Sequence, residues 1–432
     1  MQQRPTSFPI GETVRRLRTG QGKSQETLAG LAGISTRTLA GIEKGDHDDA
    51  LVWLAGLANA LDVDIADLLA LHEGSWPAAS SPIKRKSLRS ERKISARVER
   101  MSTRWGTQVG AVWFPWVVAG YGPYRSANIE SFYHSPEGAY PPEIDRDLAQ
   151  LTADIETRAK RGEEVPYEGA GYKLARFSVS SRVGDAEEPR LVLHFEPTTY
   201  FRMLVTDQRL DVPLTAGGRT YTLRERYAAN VDLRVAPVPE LATHWGVGLS
   251  VVTADRQLLI AQRGNTAVDP YVYFPAMAEG ASRVHDAAPN GAPDHDRIAI
   301  RGMAEELGIE IEPDELTWLS FGANSYLCEY GLIGRVDTNW TAGRIDARRS
   351  TGAAKDNWET KHLHAVPFSP VDVARFMADR SRTFSAFAIV AIMHALMHEF
   401  GIRATESAFE DITVSVSQHL PPWLDSGSQP VR

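Results

Sequence analysis

The chain has 432 residues and a formal net charge of −8, so it is longer than one hydrophobic core usually organises and is not coated in positive charge. Hydrophobic residues make up 43% and charged residues 24% of it, which excludes global disorder and predicts two or three folded domains. A single cysteine, Cys328, excludes an intramolecular disulfide and a thiolate metal site, fits a reducing compartment, and reads as a small buried apolar residue.

From Met1 to Arg18 there are arginines but no apolar stretch long enough for a signal peptide or a membrane span. The expectation is a cytoplasmic, nucleoid-associated protein with no membrane partner. Residues 10–71 show helical periodicity punctuated by Gly20, Gly22, Gly33, Gly45 and Asp62, which predicts five short helices in an all-α domain over residues 1–72. Residues 73–104 lose that periodicity and become rich in Ser, Pro, Lys and Arg, the composition of a linker with a basic end. Over residues 105–239 aromatic and β-branched residues dominate, with alternating runs such as Lys173 to Ser180 and Leu191 to Phe195. They predict a β-rich region, a candidate for dimerisation, with one helix near Glu143 to Arg161. Its aromatic cluster, Trp113, Phe114, Trp116, Tyr121 and Tyr124, reads as core or dimer interface. Residues 240–432 mix strand and helix patterns in an α/β (α+β) order, with a helix over Arg297 to Leu307 and a buried apolar one near Ser385 to Phe400.

Within the first domain, SQETLAGLAGISTRTLAGIEKG runs from Ser24 to Gly45. Ser24 can cap a helix whose Leu28 and Leu31 face inward, Ala29 lets a second helix cross closely, and Gly33 permits a turn. A second helix starts at Ser35 and buries Leu39 and Ile42. That leaves Thr36, Arg37 and Thr38 outward at a helix tip, where base edges are read in the two-helix DNA-binding geometry. The segment, with the trailing LVWLAGLANALDVDIADLL, resembles the Cro and lambda-repressor helix-turn-helix family, also called XRE, over roughly residues 10–71. The resemblance implies that Gln25 and Ser35 contact phosphate or position a base-reading side chain, that Thr36, Arg37 and Thr38 face the major groove, and that the protein binds double-stranded DNA as a homodimer. Arg37 is the candidate for a guanine contact. Arg15, Arg16, Arg18, Lys23 and Lys44 are candidate phosphate neutralisers. Asp46, His47, Asp48 and Asp49 follow the second helix, where carboxylates repel phosphate unless they cap the next helix.

Further on, VVTADRQLLIAQRGNTAVDPYVYFPAMAEG and AIRGMAEELGIEI resemble the Nudix family, whose box G-x5-E-x7-R-E-U-x-E-E-x-G-U gathers glutamates around magnesium against a diphosphate. Arg301, Glu305, Glu306, Gly308 and Ile309 match that pattern. The glutamate expected after the arginine is Gly302, the double glycine of the loop is Ala276 and Met277, and ASRVHDAAPNGAPDHDR separates Glu279 from the helix. Asp294 or Asp296 is the candidate stand-in for the upstream glutamate, and His285 and His295 read as exposed residues of the insertion. The resemblance implies a Nudix-like domain preceded by a β-rich extension, with Arg263, Arg301, Glu305 and Glu306 as candidate ligand-binding residues and Glu305 and Glu306 as metal ligands if Mg2+ is bound. Two readings follow: a transcriptional regulator whose C-terminal domain senses a nucleotide-derived or related effector, and a magnesium-dependent hydrolase of nucleoside diphosphate derivatives on a DNA-binding head. The broken box favours the first.

Overall fold

The computed structural model describes residues 10–32, 34–44, 57, 60, 61, 101–135, 138–163, 165–180, 189–216, 219–264 and 270–417. The chain divides into two compact units, Met1–Arg85 and Lys86–Arg432.

In the first unit α1 spans Ile10–Gly20, α2 Gln25–Ala32 and α3 Thr36–Lys44. The expected caps are present: Ser24 Oγ accepts from Thr27 N and Ser35 Oγ from Thr38 N, each at 3.0 Å, which satisfies amides that the helices leave unpaired. Gly22, at φ 66°, makes the left-handed turn between α1 and α2. Val14, Leu28, Ala29, Leu39 and Ile42 form the core with Leu57, Ala60 and Leu61. Gly11 lets α1 cross α3 closely, because a Cβ there would meet the Ile42 carbonyl oxygen at 1.9 Å. The expected helices beyond Lys44 fall largely outside the described residues.

The second unit is layered. Its strands in chain order are β1 Thr107–Val109, β2 Val112–Phe114, β3 Trp116–Tyr124, β4 Ile129–Tyr133, β5 Ala170–Ser180, β6 Arg190–Thr199, β7 Leu214–Ala216, β8 Arg219–Tyr221, β9 Trp245–Val252, β10 Gln257–Arg263, β11 Tyr273–Pro275, β12 Met277–Gly280, β13 Leu316–Asn324, β14 Glu329–Asp337, β15 Thr360–Pro367, β16 Thr383–Phe384 and β17 Ser415–Val416. Its main helices are α4 Pro142–Lys160, α5 Tyr200–Val205, α6 His295–Gly302, α7 Ala342–Ser350, α8 Pro370–Met377, α9 Ala386–Phe400 and α10 Ile402–Ala408. A ten-stranded mixed sheet runs β17-β16-β11-β10-β9-β14-β13-β3, with β12 on β9 and β15 on β10. Strand residues alternate between its two faces. On one face Val247, Leu249, Leu332 and Phe321 pack with Ile298, Ala299 and Met303 of the α6 segment. On the other, Leu258, Ile260, Leu319 and Ile333 pack with α9. That helix is apolar on all sides and buried throughout its middle, as its sequence predicts. Among the described residues no helix is long and apolar enough to cross a membrane.

The expected boundary at 239/240 is not a boundary of the fold. Strand β3, from the anticipated extension, pairs antiparallel with β13 in the large sheet. The small sheet β4-β6-β5 sends Tyr172, Leu193 and Phe195 into the same core as Trp245. Fully buried Asp207 pins the crossing point by accepting from Thr243 N at 3.2 Å and His244 N at 2.9 Å. A strand added to a sheet leaves no break in the period-two pattern, so the pattern alone could not reveal the union. Phe114, Trp116, Tyr121 and Tyr124 are core residues and Trp113 is half-buried. Cys328 is buried, as expected.

Candidate nucleic-acid interface and a carboxylate cluster

In the first unit the tip of α3 is polar and outward, over an apolar underside. Thr36 and Arg37 are exposed, Thr38 is half-buried, and Leu39 and Ile42 are 0% and 1% exposed. The Ser35 and Thr38 hydroxyls lie 2.7 Å apart, so the start of the helix is fixed by both the cap and a side-chain pair. Arg15 and Lys44 are exposed. Other candidates have structural partners. Glu43, buried on α3, takes Arg18 Nε at 2.6 Å, Arg18 Nη2 at 3.0 Å and Gln25 Nε2 at 2.8 Å. Burial opposes the charge of Glu43, yet the hydrogen bonds from Arg18 and Gln25 and the Arg18 charge hold its carboxyl below the usual range. Arg18, expected at phosphate, therefore ties α1 to α3, and Gln25 ties α2 to α3. Lys23 Nζ donates to Gln21 Oε1 at 2.6 Å and to the Ala60 carbonyl at 2.8 Å. Asp46, His47, Asp48 and Asp49 lie outside the described residues, as does the side chain of Arg16.

Residues 9–71 match the model of a helix-turn-helix domain family. The N-terminal segment is a helix-turn-helix domain. The chain is 41% identical to the restriction-modification controller protein C.AhdI from Aeromonas hydrophila, over 14% of this chain and 92% of that one, with a TM-score of 0.14. It is 26% identical to the clp gene regulator ClgR from C. glutamicum, over 18% of this chain and 100% of that one, with a TM-score of 0.16. No curated protein matches the chain. The helix-turn-helix domain is thus followed by a large β-rich unit, and the protein is multidomain.

In that unit the segment singled out by sequence builds a carboxylate cluster around one arginine. Helix α6 continues from Gly302 into a π-helical turn, Met303–Leu307, with Met303 and Leu307 buried beneath it. Arg301 Nη1 reaches Glu305 Oε2 at 2.8 Å and Glu279 Oε1 at 2.9 Å. Its Nε and Nη2 take both oxygens of Asp286 at 2.8 Å. The pairing of Arg301 with Glu305 follows from their four-residue spacing. Glu306 points elsewhere, accepting from Ala278 N at 3.0 Å. Arg263 pairs with Glu359 at 3.3 Å and lies over the Phe274 ring. Burial pushes Glu279 up to about 7 against the pull of Arg301, and pushes Glu306 well above the carboxylate range.

Asp286 is the residue that sequence reasoning missed. It sits in the insertion, is fully buried, and also accepts from Ser282 N at 2.7 Å. No fixed spacing signals it, because the insertion sets the distance. The two stand-ins considered are placed at the other end of the helix. Asp294 caps α6 by accepting from Arg297 N at 3.1 Å, and Asp296 accepts from Trp318 Nε1 at 2.9 Å. His285 is exposed as expected, but His295 is only 7% exposed, with Nε2 2.9 Å from Ser131 Oγ. The first turn of α6 buries His295 against Trp245 and Phe195, an aromatic environment that its polar neighbours in sequence conceal.

A magnesium ion does not fit the residues present. At Gly302, where the Nudix pattern that this segment resembles has a glutamate, a Cβ would meet Met277 Sδ at 2.7 Å and Cγ at 3.0 Å. A side chain at position 302 would therefore require Met277 to shift. Arg301 holds Glu279 and Glu305, and among the described residues no three His, Cys, Asp or Glu side chains are grouped to hold a metal ion. Hard cations need several free oxygen ligands.

Proposed function

We propose that the protein is a sequence-specific transcriptional regulator that binds double-stranded DNA as a homodimer through its helix-turn-helix domain. In this reading the second unit, a degenerate Nudix-like fold, binds a small effector instead of hydrolysing it. The observation that carries the DNA-binding part is the exposed Thr36–Arg37 tip of α3, with Leu39 and Ile42 buried beneath it. Arg37 would read guanine, Thr36 and Thr38 would line the groove, and Ser35, Gln25, Arg15, Lys23 and Lys44 would position the helix or meet phosphate.

The strand–loop–helix order from β9 to α6 and the match of Arg301 to Glu305 support the Nudix-like reading. The packing of Met277 against Gly302 favours sensing over hydrolysis. An effector changes DNA affinity only through unequal affinity for two states of the protein. The test is a mobility-shift titration on a selected duplex, with and without a panel of nucleotide sugars, dinucleotides and ADP-ribose, alongside a turnover assay of the same compounds with magnesium. A shift in DNA affinity without turnover is the expected result. Turnover abolished by Glu306→Gln would replace the sensor with an enzyme.

A further inference from the structure

Between α7 and β15 lies a cleft of about 460 Å³ that the carboxylate cluster does not use. Its walls include Arg349, Lys361, His362, His364 and Asn357, with Asp346 as the one acidic group. Arg349 is 5% exposed. Its Nε donates to the Glu306 carbonyl at 3.1 Å, which caps the turn after α6. Its Nη2 is buried with no hydrogen-bond partner among the described residues, and so is His364 Nε2. Burial holds the Arg349 guanidinium below its ordinary value, with only Asp346 and Glu306 opposing the loss of charge. A guanidinium taken out of water with no carboxylate hydrogen-bonded to it is costly, and such groups are normally matched by an anion. Lys361 lines the cleft and is exposed, with its Nζ over the Tyr271 ring.

We infer that this cleft binds a phosphate-bearing polar small molecule, a sugar phosphate in class, with Arg349 and Lys361 holding the phosphate. A guanidinium fork matches phosphate oxygens in geometry as well as charge. The volume exceeds what a bare phosphate fills. Only Leu363 among the lining residues is apolar, so the remainder of the ligand is matched by hydrogen-bonding groups and not by an aromatic stack. The inference rests on the effector-sensing reading for its biological use, but not for the binding itself.

The experiment is isothermal titration of the full-length protein with ribose 5-phosphate, inorganic phosphate and ribose at constant ionic strength, for the native protein and for Lys361→Gln and Arg349→Gln. Ribose 5-phosphate should bind more tightly than inorganic phosphate, and ribose should not bind. Lys361→Gln, at an exposed position, should weaken binding about ten-fold, and Arg349→Gln should weaken it further. Absence of binding by both phosphate probes overturns the proposal, as does binding that Lys361→Gln leaves unchanged, whether or not Arg349→Gln folds. Inorganic phosphate binding as tightly as the sugar phosphate overturns the sugar-phosphate class. Repeating the DNA titration with ribose 5-phosphate separates the two readings: binding that leaves DNA affinity unaltered retains the site and removes its role in regulation.

Discussion

Both units bury carboxylates, and they treat them in opposite ways. In the helix-turn-helix domain Glu43 is matched by Arg18 and Gln25, and its carboxyl stays below the usual range. In the β-rich unit Asp207 and Glu279 are raised to about 7 by burial, with backbone amides and a shared arginine offsetting only part of the cost. The first arrangement uses a charge to lock one helix against two others. The second leaves buried acids short of full compensation, held by backbone amides and by an arginine shared among several carboxylates.

The largest expected effect is on pH dependence. A carboxylate whose folded value is raised contributes stability below its ordinary range and loses it as pH rises through the folded value. Through Asp207 and Glu279 the β-rich unit should therefore lose on the order of a few kcal/mol as pH rises from about 4 to about 8. Glu43 runs the other way: its contribution is present above the ordinary glutamate value and lost as pH falls through its lower folded value. Calorimetry should show the larger unfolding transition falling as pH rises from about 4 to about 8 while the helix-turn-helix transition holds steady there and falls only below the ordinary glutamate range, and Asp207→Asn should flatten the response of the larger one. A fall of both transitions between about pH 5 and about pH 8 would remove the contrast.

Next in size, Glu43→Ala leaves Arg18 unmatched and should destabilise the helix-turn-helix domain by about 3 kcal/mol, read as an earlier first transition with the second unchanged. Gly302→Glu drives a side chain into Met277 and should cost the β-rich unit about 2 kcal/mol by overpacking. Met277→Gly in the same chain should recover part of that loss. Magnesium-dependent turnover by the double variant and not by the native protein would show that these two positions block it. Arg37→Ala should have the smallest effect on stability, because the side chain is exposed and outside the core.

Much of the helix-turn-helix core was legible because each apolar position repeats at helical spacing and each serine cap precedes its helix. The partners of Arg18 and Lys23 were not, since pairs such as Arg18 with Glu43 close only when separate helices meet. In the β-rich unit the Arg301–Glu305 pair and the buried α9 could be read locally. Asp286, the burial of His295 and the entry of β3 into the main sheet depend on contacts across long separations, and alternation along a strand does not say which strand lies beside it.

The most direct test of the central claim is an unbiased selection from random duplexes by the full-length protein, with Arg37→Ala run beside it. The native protein should enrich an inverted pair of half-sites about one helical turn apart. Arg37→Ala should retain affinity for duplex DNA while losing preference at a guanine position by about 1–3 kcal/mol. Enrichment of no sequence by the native protein at low salt, or an identical preference in both proteins, would contradict the assignment of α3 as the reading helix.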